Sequence, residues 1–129
     1  MEPNIGRSIM LVEDELVVRM SLADYLEDSG YRIVQMDTPA EALAALQDEI
    51  PDLVICDYKM PGMNGREFLD RMCSDFPAVP VVVVTGMADE LLAKDLVANG
   101  ASACLFKPLP TLRLLLEAVE KAIGDKVQQ

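Results

Sequence analysis

Five short apolar runs alternate with five amphipathic stretches, and this alternation constrains the fold more than any other feature of the chain. Ser8–Val12 (S-I-M-L-V) is a short apolar run that ends at two acids, as a buried parallel strand reads. Leu16–Ser29 carries Val18, Leu22, Tyr25 and Leu26 at helical spacing, and Gly30 stands where a helix C-terminal glycine belongs. Tyr31–Met36 is a second strand, partly alternating and therefore placed toward a sheet edge. Thr38-Pro39-Ala40-Glu41 then supplies a capping threonine, a proline at the first helical position and a glutamate at the third. Asp52–Cys56 is the third strand and delivers Asp57 at its end. Met60-Pro61-Gly62-Met63-Asn64-Gly65 forms a loop, after which Asn64 and Glu67 can cap a helix carrying Phe68, Leu69 and Met72. Val79–Val84 is nearly pure valine, the pattern of a central strand covered on both faces. A helix over Asp89–Ala98 closes at Asn99-Gly100, Ser102–Phe106 is the fifth strand, and Pro110–Ile123 the last helix.

Strands that alternate with helices imply an α/β fold with a mostly parallel sheet and helices on both faces, because parallel strands need right-handed crossovers. A chain of 129 residues suits one domain of this kind, and no repeat or low-complexity linker divides it. Chemistry in such folds collects beyond the carboxyl ends of the strands. The residues there are Glu13-Asp14, Asp37, Asp57, Thr85 and Lys107. Asp37 precedes the Thr38 cap and reads as structural. The valine run and the methionines read as core.

Composition removes several functions. There is no histidine, which excludes Ser-His-Asp and Cys-His catalysis, His-ligated zinc and a histidine phosphate carrier. A net charge of −11 argues against direct binding to nucleic-acid phosphates. No stretch is long and apolar enough to span a bilayer, and the N-terminus lacks a secretion signal. Cys56, Cys73 and Cys104 form no CxxC pair and read as reduced, mostly buried thiols of a cytoplasmic protein.

Glu13, Asp14 and Asp57 would meet at adjacent strand ends. At about 4 Å each like-charge pair costs about 4 kcal/mol at an effective dielectric of 20. A hard divalent cation makes such a site tolerable, and Mg²⁺ fits, since it takes one or two carboxylates and leaves positions for water and phosphate oxygens. Thr85 offers a hydroxyl and Lys107 a mobile point charge suited to phosphate. An aspartate in that setting can be the nucleophile of phosphoryl transfer.

With these residues in place, the sequence resembles the receiver domain of bacterial two-component response regulators, the CheY-like superfamily. The resemblance runs from about Ser8 to Ile123, core residues 8–123 of a single domain over 1–129. It is carried by L-V-E-D at Leu11–Asp14, the aspartate closing D-L-V-I-C-D, M-P-G-M-N-G from Met60, V-V-T-G at Val83–Gly86 and K-P at Lys107-Pro108. The resemblance implies a flavodoxin-like sheet of order 2-1-3-4-5. It also implies that Asp57 takes a phosphoryl group from a phosphohistidine on a sensor kinase or phosphotransfer protein. By the same resemblance Glu13, Asp14 and Asp57 bind Mg²⁺ with the backbone carbonyl of Lys59. Thr85 and Lys107 would contact phosphoryl oxygens, and the Lys107–Pro108 bond would be cis. Such a domain is a signalling switch and not an enzyme in the ordinary sense.

Two positions depart from the family pattern. Cys104 stands where the family usually has an aromatic residue coupled to the threonine. Lys59 and Met87 flank the line of attack and are candidates for tuning the lifetime of the phosphoryl group. No output domain follows the last helix, so the chain reads as a stand-alone receiver or the front of a longer regulator. Leu114, Leu115 and Ala118 broaden the apolar side of that helix, so the face of helix four, strand five and helix five is expected to meet an output module or a second copy. The alternative is a phosphate-independent adaptor, favoured by Cys104. An aspartyl-phosphate hydrolase is disfavoured by Lys59, where those enzymes carry a second acid. An FMN carrier is disfavoured by the acids that follow strand one.

Overall fold

The computed structural model describes residues 6–128. Its elements are β1 (Ser8–Val12), α1 (Leu16–Asp28), β2 (Arg32–Met36), α2 (Pro39–Leu46), β3 (Leu53–Asp57), α3 (Gly65–Asp75), β4 (Val81–Thr85), α4 (Glu90–Ala98), β5 (Ala103–Phe106) and α5 (Arg113–Gln128). All strand pairs are parallel and the sheet order is β2-β1-β3-β4-β5. The flavodoxin-like arrangement expected from the sequence is therefore the one observed. After β1 the chain steps outward to β2 and then returns across β1 to β3, so a crevice opens beyond the carboxyl ends of β1 and β3.

Each face of the sheet has its own core. Ile9, Leu11, Ile55, Val82 and Val84 pack under α1 and α5 against Leu22, Leu26, Leu115, Val119 and Ile123. Met10, Val12, Val54, Cys56, Val81 and Val83 pack under α2, α3 and α4 against Leu46, Phe68, Leu69, Met72 and Leu96. Burying a side chain such as Phe68 contributes about 2–3 kcal/mol, and β1, β3 and β4 are buried along their whole length. The half-exposed β2 lies at the sheet edge, as its alternation implied.

The helix starts follow local chemistry. Thr38 accepts the N–H of Glu41 at 3.1 Å, with Pro39 opening α2. Asn64 and Glu67 form a complete capping box on α3. Gly65 is required for close packing, because a Cβ there would lie 2.7 Å from the Tyr58 Cα.

Several boundaries move from their sequence-based positions. β4 begins at Val81, not Val79, because the Val79 N–H turns back to the Phe76 carbonyl at 3.1 Å and Pro80 has none to give. The ladder runs one residue further than expected at its other end, so Asp57 pairs with Val84 inside the sheet. α5 begins at Arg113, after a turn in which Leu114 N–H donates to Thr111 O, because Pro108 and Pro110 hold the chain extended. Cys73 is exposed while Cys56 is buried. Met20 and Met87 also lie at the surface, unlike Met10 and Met72. Leu115 belongs to the core, whereas Leu114 faces outward.

Candidate functional site

The carboxyl ends of β1, β3, β4 and β5 converge on one charged crevice. β1 runs into Glu13 and Asp14, β3 ends at Asp57, β4 ends at Thr85 and β5 runs into Lys107. One oxygen from each of Glu13, Asp14 and Asp57 lies within 4.8 Å of the others. Glu13 and Asp57 are buried and Asp14 is exposed. Lys107 Nζ donates to Glu13 Oε1 and to Asp57 Oδ2, each at 2.9 Å. Its backbone is held from behind, since the Lys107 N–H donates to the Thr85 carbonyl at 2.7 Å; the Lys107–Pro108 bond is cis, as expected. The second oxygen of Asp57 accepts the Lys59 N–H at 3.3 Å.

Three carboxylates gather here, and the one ammonium group pairs with two of them. Burial pushes Glu13 up from 4.5 to about 7, Lys107 opposes the shift through its hydrogen bond, and the Asp57 charge adds to it. Burial disfavours the charged form of Lys107, but hydrogen bonds and charges from Asp57 and Glu13 outweigh it, so the amine is held above its ordinary value. Glu13 Oε2 is buried and has no hydrogen-bond partner. A buried oxygen without a donor, in a cluster of carboxylates open to solvent through Asp14, fits a hard divalent cation.

A cleft of about 430 Å³ opens over these groups, lined by Asp14, Glu15, Asp57, Lys59, Thr85, Gly86, Met87 and Lys107. Thr85 is buried and its Oγ1 accepts the Met87 N–H at 3.1 Å, which orders the start of the loop after β4. Lys59 and Met87 thus both border the space above Asp57. Cys104 lies opposite Val83 in the sheet register, and Phe106 lies opposite Thr85.

Of the six residues picked from strand ends, all but Asp37 come together. Asp37 pairs instead with Arg19. Arg19 is the residue that the sequence reading missed. It lies on the buried side of α1, and its guanidinium reaches the Glu13 carbonyl at 2.7 Å. A lone cation among the apolar positions of that helix was the signal that could have found it.

A family profile described as the response regulator receiver domain matches residues 9–120. Response regulator protein FleR of Pseudomonas aeruginosa is 34% identical over 121 residues, covering 94% of this chain and 26% of that protein. Transcriptional regulatory protein PdtaR of Mycobacterium tuberculosis is 35% identical over 121 residues, covering 93% of this chain and 58% of its own length. The chain therefore spans only part of these curated relatives. Among solved structures, a CheY-like receiver domain protein from Methanospirillum hungatei superposes with a TM-score of 0.88 at 28% identity, covering 95% of this chain and 98% of that one. A receiver domain protein from Clostridium thermocellum gives 0.89 at 27% identity, with 95% and 98% covered.

Proposed function

The chain belongs to the response regulator receiver family, and from that premise we propose that it is a phosphoacceptor switch with Asp57 as the acceptor. The observation that carries this reading is the Lys107 ammonium between Asp57 and Glu13, in a cluster of three carboxylates with one buried oxygen unpartnered. Glu13, Asp14, Asp57 and the Lys59 carbonyl would hold Mg²⁺. When bound, the ion neutralises charge on the carboxylates and on the phosphoryl oxygens.

The remaining work falls to this chain's own residues. An Asp57 oxygen attacks phosphorus in line, the P–N bond of the donor phosphohistidine breaks, and its electron pair returns to the imidazole nitrogen. Lys107 leaves its carboxylate partners to contact a phosphoryl oxygen, an exchange its flexible stem permits. Thr85 supplies a hydroxyl contact from β4 and draws the following loop inward, a shift between two populations. Lys59 and Met87 border the approach of water and set how long the acyl phosphate lasts.

The donor is a sensor histidine kinase or a phosphotransfer protein. Output passes to a partner or output domain, or to a second copy, through the face of α4, β5 and α5. On α4 and α5, Leu91, Val97 and Leu114 are exposed at 77%, 49% and 41%. No helix among the described residues is long and apolar enough to cross a membrane.

Incubation with Mg²⁺ and acetyl phosphate, followed by intact mass, tests the reading. One base-labile phosphoryl adduct is expected in the wild type, absent without Mg²⁺ and absent in Asp57→Asn. An adduct that persists in Asp57→Asn, or none with any donor, would overturn it. The adaptor reading would then stand. Its support is the half-buried Cys104 in place of an aromatic residue.

A further inference from the structure

The last residue of β1 is Val12, directly before the two acids. Val12 still pairs with Met36 on one side and Cys56 on the other. One residue later the Glu13 N–H donates to the Met36 carbonyl at 3.1 Å. The Glu13 carbonyl points into α1, where Arg19 Nη1 donates to it at 2.7 Å. The same guanidinium donates through Nε to Gln35 Oε1 at 3.1 Å and pairs through Nη1 with Asp37 Oδ1. Arg19 is only 9% exposed, so these contacts are what make its charge tolerable there. Gln35 belongs to β2, and Asp37 follows it directly.

Resting on the phosphoacceptor reading above, we propose that Arg19 is a positioning residue for the cation site. Its guanidinium clasps the Glu13 carbonyl, ties the β1–α1 loop to the end of β2, and so aims the carboxylates of Glu13 and Asp14. The planar fork suits this task, since separate N–H groups reach separate acceptors at fixed angles. The contact with the Glu13 carbonyl helps to satisfy a buried charge, and it also falls within the candidate cation site. It places a donor on the peptide that joins the two acids. Asp37 is correspondingly an anchor for the clasp, with its side chain 60% exposed.

Calorimetric titration with Mg²⁺, well below the melting temperature, tests the proposal on wild type, Arg19→Ala, Arg19→Lys and Arg66→Ala. Removing a residue that orients metal ligands typically weakens affinity by about 10–100-fold, and that loss is expected for Arg19→Ala. Arg19→Lys keeps the charge but not the fork, and is expected to fall between wild type and Arg19→Ala. Arg66→Ala loses ion pairs to Asp70 and Asp95 on the surface and is expected to bind like wild type. A purely structural arginine would lower the melting temperature and leave the Mg²⁺ affinity unchanged, and that result overturns the clasp. If Arg19→Ala does not fold, Arg19→Lys and Asp37→Asn decide, and wild-type affinity in both overturns it. A wild type that binds no Mg²⁺ fails differently: it removes the phosphoacceptor reading, and the clasp with it.

Discussion

At the amino end of the sheet, Asp52 just ahead of β3 is met on both oxygens. Oδ2 accepts the Ser8 N–H at 2.8 Å, and Oδ1 lies 3.7 Å from Arg7 Nη1. Asp52 also donates its own N–H to the Ser8 carbonyl at 2.9 Å, so the residue closes the ladder between β1 and β3. At the carboxyl end of the same two strands, Glu13 and Asp57 share Lys107 with Asp14 beside them, and one buried oxygen goes without a donor. One end uses a carboxylate as a fastener. The other gathers more negative charge than the protein neutralises, as the cation and phosphoryl group of the proposed function would require.

The largest expected effect is at Lys107. Removing one partner of a buried charge pair typically costs 3–5 kcal/mol. In Lys107→Met a loss of about 3 kcal/mol is expected by urea unfolding at pH 8 without metal, partly restored by Mg²⁺. A loss within error would mean that the two ends are equally well neutralised.

Asp52 and Asp57 should then respond with opposite signs. Asp52→Ala removes a charge-assisted acceptor at a partly exposed site and is expected to cost about 1.5 kcal/mol. Asp57→Asn removes one of the clustered charges and is expected to stabilise the metal-free chain by about 1 kcal/mol. If both variants unfold more easily than wild type, the contrast between the ends fails.

A smaller effect should appear with pH. The folded chain holds the Glu13 proton up to about pH 7, while the ordinary value for this carboxyl is 4.5. Its contribution to stability is present in full below about pH 4.5 and is lost as pH rises through 7. For this partly screened site the change should be about 1 kcal/mol. Metal-free melts from pH 5 to 8 should show this decline in wild type and not in Glu13→Gln.

Much of this was legible in the chain because local chemistry and global fold agree. The valines of β4 and the apolar runs of β1 and β3 read as buried strands, and Thr38, Asn64 and Glu67 announced their helices. Strand ends before acids led to Glu13, Asp14 and Asp57, because in a parallel sheet position along the strand is position in the site. Arg19 was not legible, since its role depends on a long side chain crossing from α1 to β2 and the backbone of Glu13. The start of α5 was misplaced because Pro110 is as compatible with a first helical turn as with the extended turn that precedes one. Leu115 and Leu114 are adjacent apolar residues that a helix turns about 100° apart, so one meets the core and the other solvent.

On the proposed function, the carboxyl end of the sheet is short of positive charge and is completed by a divalent cation. Melting temperature across a Mg²⁺ series at pH 8 tests it most directly, with Asp14→Asn beside wild type. Wild type should be stabilised without limit in the logarithm of Mg²⁺, by about 1.4 kcal/mol for each tenfold increase above saturation. Asp14→Asn, altered only at an exposed carboxylate, should show little of this gain. No rise in wild type, or an equal rise in both chains, would contradict the account.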